Sequence, residues 1–125
     1  MEKKRILIID DEVSFTRLFK MNLEKMGEFE VRAENWPEDA QKAAREFKPH
    51  LVFLDILMPR MPGGNVAAAF QADPELKSVP IVFLTAAVRP KQIEENNGTI
   101  CDLPCIAKPP KMETILQYIK TYARK

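Results

Sequence analysis

Three acidic residues directly follow an apolar run near the start of the chain, and they are the first residues that could do chemistry. The run Ile6–Ile9 leads straight into Asp10, Asp11 and Glu12. Like charges held this close together are unfavourable unless a cation neutralises them. Clustered carboxylate oxygens are the ligands that a hard divalent ion such as Mg²⁺ takes. The stretch therefore predicts a magnesium site, provided that other ligands reach the same place.

Three later apolar runs also lead to a residue that can take part in chemistry. LVFLD ends at Asp55, VPIVFLT at Thr85 and LPCIAK at Lys108. A carboxylate can accept a phosphoryl group, a threonine hydroxyl can donate a hydrogen bond to an incoming oxygen, and a lysine supplies a fixed positive charge. Phosphoryl transfer depends mainly on positioning and on neutralisation of charge. This set of residues is therefore suited to phosphorylate one of its own acids.

Apolar runs of this length are typical of strands buried on both faces of a parallel sheet. Five predicted strands alternate with five predicted helices along the chain. This alternation predicts an α/β fold with helices on both faces of the sheet. Parallel strands bring their carboxyl ends to one edge, where ligands bind in open α/β sheets. We expect Asp10, Asp11, Asp55, Thr85 and Lys108 to meet at that edge.

The predicted helices are bounded by capping residues, prolines and glycines. Asn35 is predicted to cap the second helix, with Pro37 in its first turn. The fourth helix is predicted to start at Arg89-Pro90 and to end near Asn97-Gly98. A last helix, with an apolar stripe that begins at Met112, completes the pattern.

Length and composition indicate one globular domain over residues 1–125. Apolar residues make up 46% of the chain and charged residues 30%. A net charge of +1 without a clustered basic run argues against direct binding to nucleic acid or to a membrane. No apolar stretch approaches the roughly 20 residues of a membrane span, and no signal peptide is apparent. We therefore expect a cytoplasmic domain without a linker or a second module.

The cysteines and the single histidine are not predicted to form a second site. Cys101 and Cys105 lack an accompanying histidine ligand, so two free thiols are expected. His50 follows Pro49 between a helix and a strand, and it is predicted to lie in solvent away from the carboxyl edge. One histidine without a catalytic partner also argues against a kinase.

The motifs together resemble the receiver domain of two-component response regulators, the CheY-like domains. The stretches IIDDE, LVFLDILMP, VPIVFLTA and IAKPP occur in the order and at the spacing of that family, and the resemblance runs from Lys4 to Lys125. It implies a flavodoxin-like, doubly wound (βα)5 fold with a five-stranded parallel sheet in the order 2-1-3-4-5.

The resemblance also implies roles for the acidic residues. Asp55 corresponds to the phosphoacceptor, which takes its phosphoryl group from the phosphohistidine of a sensor histidine kinase or of a histidine phosphotransfer protein. The implied Mg²⁺ ligands are Asp10, Asp11, Asp55 and the backbone carbonyl of Leu57.

The other implied roles concern the ends of the fourth and fifth predicted strands. Thr85 would turn toward the phosphoryl group, and the small Ala86 would leave access to it. Lys108 would pair with the acceptor and then with its phosphate. Pro109 would follow a cis peptide bond.

Two departures from the family pattern, at Cys105 and Pro62, and the apolar residues Leu57 and Ala87 bear on the expected signalling. Cys105 replaces a common Tyr or Phe, so the signal must travel through the fourth helix and loop shifts, or be weaker, or be absent. Pro62 stands where Asp is frequent and predicts a stiffer loop. Leu57 and Ala87 cannot position an attacking water, which favours slow autodephosphorylation and a long-lived phosphate.

The expected function is that of a signalling receiver in a phosphorelay, which catalyses only its own phosphorylation and dephosphorylation. It would then switch partner binding, or dimerise through its fourth helix, fifth strand and fifth helix. The alternative is a pseudo-receiver, an interaction module that no longer accepts phosphate. A flavin or nucleotide binder would need a phosphate-cradling loop after the first strand. An aspartate-nucleophile phosphatase would need an acid where Leu57 stands.

Overall fold

The computed structural model describes residues 2–86, 99–100 and 103–123. The fourth predicted helix, Ala87 and Cys101 lie outside the described residues. In chain order, the elements are β1 (Lys4–Ile9), α1 (Val13–Glu24), β2 (Phe29–Glu34), a 3-10 turn (Pro37–Asp39), α2 (Ala40–Phe47), β3 (Leu51–Asp55), α3 (Gly63–Ala72), β4 (Ile81–Thr85), β5 (Thr99–Ile100), β6 (Leu103–Ala107) and α4 (Met112–Tyr122).

The strands form one sheet in the order β2-β1-β3-β4-β6-β5. The pairs β1 with β2, β1 with β3, β3 with β4 and β4 with β6 are all parallel. With β6 counted as the fifth predicted strand, the predicted parallel order 2-1-3-4-5 is confirmed. The additional β5 runs antiparallel to β6, with Ile100 opposite Leu103. It was not predicted, because two residues are too short to show an apolar period.

Alternate residues of the central strands pack on opposite faces of the sheet. In β1, Ile6 and Ile8 face α1 and α4, whereas Leu7 and Ile9 face α2 and α3. Both faces of β3 and β4 are buried along their full length. This explains why these strands are continuous apolar runs without polar alternation. In the part of the chain that the structure describes, no helix is long and apolar enough to cross a membrane.

The cap predicted at Asn35 is wrong. The residues at the N-cap positions of the 3-10 turn and of α2 are Trp36 and Asp39, and neither makes a side-chain cap hydrogen bond. The Asn35 side chain instead donates to Asp10 and Thr16, which lie far from it in sequence. Folding of the sheet offers this amide better partners than the start of its own helix.

The prediction that His50 lies in solvent is also wrong. His50 is half-buried, and its Nδ1 accepts a hydrogen bond of 2.9 Å from the backbone N–H of Arg5. Its own N–H donates to the Arg5 carbonyl at 2.8 Å. The residue therefore joins the start of β1 to the start of β3, at the end of the sheet away from Asp10 and Asp55.

Acid should weaken this junction, because protonated Nδ1 cannot accept a hydrogen bond. Burial, and then the charges of Arg5 and Lys4, lower the pKa of His50 below its usual 6.5. The unfolded chain thus takes up the His50 proton more readily, so the stability that His50 adds above pH 6.5 is lost as the pH falls below it. His50→Ala should cost about 1 kcal/mol at neutral pH and less at a pH of about 5.5. Urea unfolding at the two pH values tests this, and a pH-independent difference would contradict it.

Candidate functional site

The carboxyl ends of the parallel strands place the predicted site residues at one edge of the sheet. Asp10 directly follows β1, Asp55 and Thr85 are the last residues of β3 and β4, and Lys108 directly follows β6. The register holds these ends level, since Asp55 pairs with Leu84 and Thr85 pairs with Ala107. The sheet edge is thus where residues far apart in sequence can act together.

Three carboxylates converge at this edge. Asp10, Asp11 and Asp55 each offer an oxygen, and these oxygens all lie within 4.8 Å of one another. Asp10 is 0% exposed and Asp55 is 5% exposed, whereas Asp11 is half-buried. Glu12 is exposed, and its backbone N–H donates to Asp10 Oδ1 at 2.9 Å. The cluster is an all-oxygen donor set of the kind that Mg²⁺ prefers.

Lys108 supplies a positive charge to the cluster. Its Nζ donates a hydrogen bond to Asp10 Oδ2 and lies 3.7 Å from Asp55 Oδ2. The same ammonium lies 4.4 Å from the centroid of the Phe15 ring, where a cation is attracted by the π electrons. Lys108 is therefore nearer to Asp10 than to Asp55, the partner that the family resemblance implied.

One lysine does not offset all this negative charge. Burial, and then the charge of Asp10, raise the pKa of Asp55 from 3.8 to about 6, against the opposing effect of Lys108. The Leu57 backbone N–H, which donates to Asp55 Oδ1 at 3.3 Å, also opposes the rise. Asp55 thus remains ionised at neutral pH only at a cost in free energy.

Asp73 provides a comparison, because it is also a buried acid but has full compensation. The N–H of Glu75 donates to one of its carboxylate oxygens, and the Arg45 guanidinium donates twice to the other. The Glu75 N–H, followed by Arg45, holds the pKa of Asp73 below its usual value. The structure therefore contains one buried carboxylate whose charge is compensated, Asp73, and one at the sheet edge whose charge is not fully compensated, Asp55.

The loop after Asp55 folds tightly against the end of β3. The N–H of Gly63 donates to the Ile56 carbonyl at 2.8 Å. A Cβ on Gly63 would collide with the Asp55 carbonyl oxygen and lie 2.8 Å from Ile56 Cα, so only glycine fits. Leu57, within the loop, is 61% exposed. The sequence alone does not reveal this role of Gly63, because its close contact depends on how the loop folds back.

A second contact joins this loop to the segment after β2. The Arg60 guanidinium donates to both carboxylate oxygens of Glu38, with Nε–O distances of 2.9 and 3.1 Å. It also lies 4.7 Å from the ring centroid of Trp36, which is 52% exposed. Two loops that flank the acid cluster are thereby joined at the surface.

The ends of β4 and β6 are joined through the backbone. Thr85 is fully buried, and its carbonyl accepts a hydrogen bond of 2.9 Å from the Lys108 N–H. The Lys108-Pro109 peptide bond is cis, as expected. Ala86 follows Thr85 and is exposed. Cys105 is a free thiol that is 1% exposed, and burial raises its pKa to about 11.

Comparison with known sequences identifies one family that matches most of the chain. Residues 6–120 match the family described as the response regulator receiver domain. The polar-differentiation response regulator DivK of Brucella anthropi is 29% identical over 119 residues, which cover 95% of each chain. The alkaline phosphatase synthesis transcriptional regulatory protein PhoP of Bacillus subtilis is 37% identical over 83 residues. That match covers 66% of this chain but only 33% of PhoP.

Solved structures show the same fold. The chemotaxis protein CheY4 of Vibrio cholerae superposes with a TM-score of 0.80 at 23% identity, and the match covers 97% of this chain and 99% of that one. A putative response regulator from Chloroflexus aurantiacus gives a TM-score of 0.82 at 22% identity, covering 99% and 100%. Similarity at these identities concerns the fold alone.

The Gly63 contact predicts opposite effects at two adjacent glycines. Gly63→Ala should lower the free energy of unfolding by roughly 1–3 kcal/mol, because the new methyl group meets rigid backbone beside Asp55. Gly64→Ala meets nothing within 4 Å and should stabilise α3 by roughly 0.5–1 kcal/mol. Urea unfolding of both variants provides the comparison. Equal changes at the two positions would be inconsistent with the contact.

The raised pKa of Asp55 predicts that this acid destabilises the protein in metal-free buffer. Its cost grows as the pH rises from 3.8 to about 6 and is complete above that range. Asp55→Asn should therefore increase the free energy of unfolding by roughly 1–3 kcal/mol at neutral pH, and by little near pH 4.

Chemical unfolding of the Asp55→Asn variant in a chelator, at both pH values, measures this effect. The exposed Asp39 provides a control, since Asp39→Asn removes an acid that lies outside the cluster. A stabilisation by Asp55→Asn that is the same at both pH values would refute the electrostatic explanation.

Proposed function

The chain belongs to the receiver domain family of two-component response regulators, and from this premise we propose that it accepts a phosphoryl group on Asp55 in a Mg²⁺-dependent reaction. The observation that carries the proposal is the acid cluster. Asp10, Asp11 and Asp55 have oxygens within 4.8 Å of one another, and Lys108 is the only basic residue beside them among those that the structure describes. An arrangement with so much uncompensated negative charge supports a site that works with a cation.

The residues at the edge fit Mg²⁺. Asp10, Asp11 and Asp55 would hold the ion, and the family resemblance adds the backbone carbonyl of Leu57 as a further ligand. These donors are all oxygen atoms, as a hard divalent ion requires. The raised pKa of Asp55 is in line with this, because burial, and then the charge of Asp10, disfavour its ionised form despite Lys108. When bound, Mg²⁺ would neutralise the carboxylates and the oxygens of the incoming phosphoryl group.

In the proposed reaction, Asp55 is the nucleophile. One of its carboxylate oxygens attacks the phosphorus of a donor phosphohistidine, and the new O–P bond forms as the N–P bond breaks. The leaving imidazole takes up a proton from solvent. Lys108, whose Nζ lies 3.7 Å from Asp55 Oδ2, would pair with the transferred phosphoryl oxygens. The Thr85 hydroxyl would donate a hydrogen bond to one of them.

The donor would be a sensor histidine kinase or a histidine phosphotransfer protein, as suits a domain that only receives the group. Hydrolysis of the aspartyl phosphate would be slow, because the exposed Leu57 side chain has no polar group to orient a water. The output would be altered partner binding, or dimerisation through a surface that includes β6 and α4. The net charge of +1 gives no support for direct binding to nucleic acid.

The second candidate is a pseudo-receiver that binds partners without accepting phosphate. The observation in its favour is Cys105, a buried neutral thiol in place of an aromatic side chain that could swing inward. Cys105 bears on transmission of the signal, however, and not on the chemistry at Asp55. The presence of every acid and of Lys108 at the sheet edge favours the phosphoacceptor.

Intact mass spectrometry after incubation with acetyl phosphate and Mg²⁺ tests the proposal. We expect one added phosphoryl group on the wild-type protein and on Asp39→Asn, and none on Asp55→Asn or in a chelator. The reason is that Asp55 supplies the nucleophile and the acid cluster holds the ion. Folded wild-type protein that neither gains mass nor binds Mg²⁺ would favour the pseudo-receiver.

A further inference from the structure

Asn35 lies just after β2 and contacts two segments that flank the acid cluster. Its side chain is half-buried, and Nδ2 donates to the Asp10 carbonyl at 2.8 Å and to Thr16 Oγ1 at 2.9 Å. The Thr16 hydroxyl is buried and donates in turn to the Val13 carbonyl at 3.1 Å. One amide group thus joins the ends of β1 and β2 to the first turn of α1.

These bonds fix the backbone at the point where the acids begin. The Asp10 N–H donates to the Glu34 carbonyl at 3.1 Å, so β2 holds one side of Asp10 through its main chain. The side chain of Asn35, the residue after Glu34, donates to the Asp10 carbonyl, so the same segment also holds the second backbone polar group of Asp10. The Glu12 N–H then closes the turn on Asp10 Oδ1 at 2.9 Å. Without Asn35, the carbonyl that leads into Asp11 would lose its side-chain partner.

This restraint opposes a specific electrostatic force. The carboxylates of Asp10, Asp11 and Asp55 repel one another, and that repulsion favours an opened turn whenever no cation is bound. A turn that opens must be closed again during metal binding, and the closing lowers the affinity. A hydrogen bond to the backbone resists opening without adding charge to the site.

We propose that Asn35 is a positioning residue for the cation site, holding the Asp10-Asp11 turn in its binding geometry through the Asp10 carbonyl. This inference rests on the proposed function, because it concerns the Mg²⁺ site of the phosphoacceptor. Asn35 is not at the N-cap position of the 3-10 turn or of α2, and its amide donates to Asp10 and Thr16. Thr16 orients the amide and acts through it.

Isothermal titration calorimetry with MgCl₂ tests the proposal on the full chain. Asn35→Ala should raise the Mg²⁺ dissociation constant about tenfold, the effect usual for residues that orient metal ligands. Thr16→Val keeps the side-chain shape and removes one acceptor of the amide, so an increase of about threefold is expected. The double variant should match Asn35→Ala alone, because Thr16 acts through Asn35.

Glu24→Gln is the matched control. Glu24 Oε2 accepts a hydrogen bond of 3.1 Å from the Val31 N–H in β2. This side-chain contact lies at the end of α1 that is remote from the acid cluster. This variant should keep the wild-type Mg²⁺ affinity even if its stability falls. Hydrogen exchange gives a second measurement: in Asn35→Ala without metal, the Glu12 amide should exchange faster while the Phe53 amide in β3 does not.

The outcomes distinguish failure of the proposed function from failure of the inference about Asn35. Wild-type protein that does not bind Mg²⁺ would overturn the proposed function and this inference with it. Normal wild-type binding with unchanged affinity in Asn35→Ala would overturn the inference alone. A loss of Mg²⁺ affinity in Asn35→Ala would also overturn the inference if Glu24→Gln lost affinity in the same proportion to its lost stability. If Asn35→Ala does not fold, the Mg²⁺ affinities of Thr16→Val and Glu24→Gln are compared instead. An unchanged affinity in Thr16→Val, or a loss that Glu24→Gln shares, would then overturn the inference.

Discussion

Mutual repulsion of the carboxylates at the end of β1 and β3 is the constraint on which the rest of the site depends. The parallel register forces Asp10 and Asp55 to one edge, and burial removes the water that would screen them. Lys108 compensates part of the charge, but burial, and then the charge of Asp10, still raise the pKa of Asp55. Asp73 shows that the same chain can satisfy a buried acid, here with the Glu75 N–H and Arg45. The imbalance at the edge is therefore local to the site.

The structure around the acids resists this repulsion from several directions. Asn35 and the Glu12 N–H hold the turn after β1. Gly63 lets the next loop close directly on the backbone of Asp55. The Phe15 ring lies against the ammonium of Lys108. None of these groups adds charge to the acid cluster. Each can therefore fix the geometry of the cluster without lowering its affinity for a cation.

An inward aromatic swing at position 105 is not available to this chain, because the residue there is Cys105. Cys105 is buried opposite Phe83 in the register of β4 and β6, where a small neutral thiol fills the position. The hydrogen bond from the Lys108 N–H to the Thr85 carbonyl joins the ends of these strands directly. A movement of either residue would therefore reach β6 and α4 through the backbone.

The sequence by itself determined the five parallel strands and the residues at their carboxyl edge, because apolar runs that alternate with helices predict buried parallel strands. The sequence predicted the order of these strands only through the family resemblance, and it did not predict the two-residue β5. It did not determine the roles of Asn35 and His50. Their hydrogen-bond partners lie 25 and 45 residues away, at Asp10 and Arg5. Sequence reasoning assigned Asn35 to its own helix and His50 to solvent, since local signals alone were available. Only the tertiary structure brought the distant backbone groups within reach, and it thereby decided which polar side chains restrain the two ends of β1.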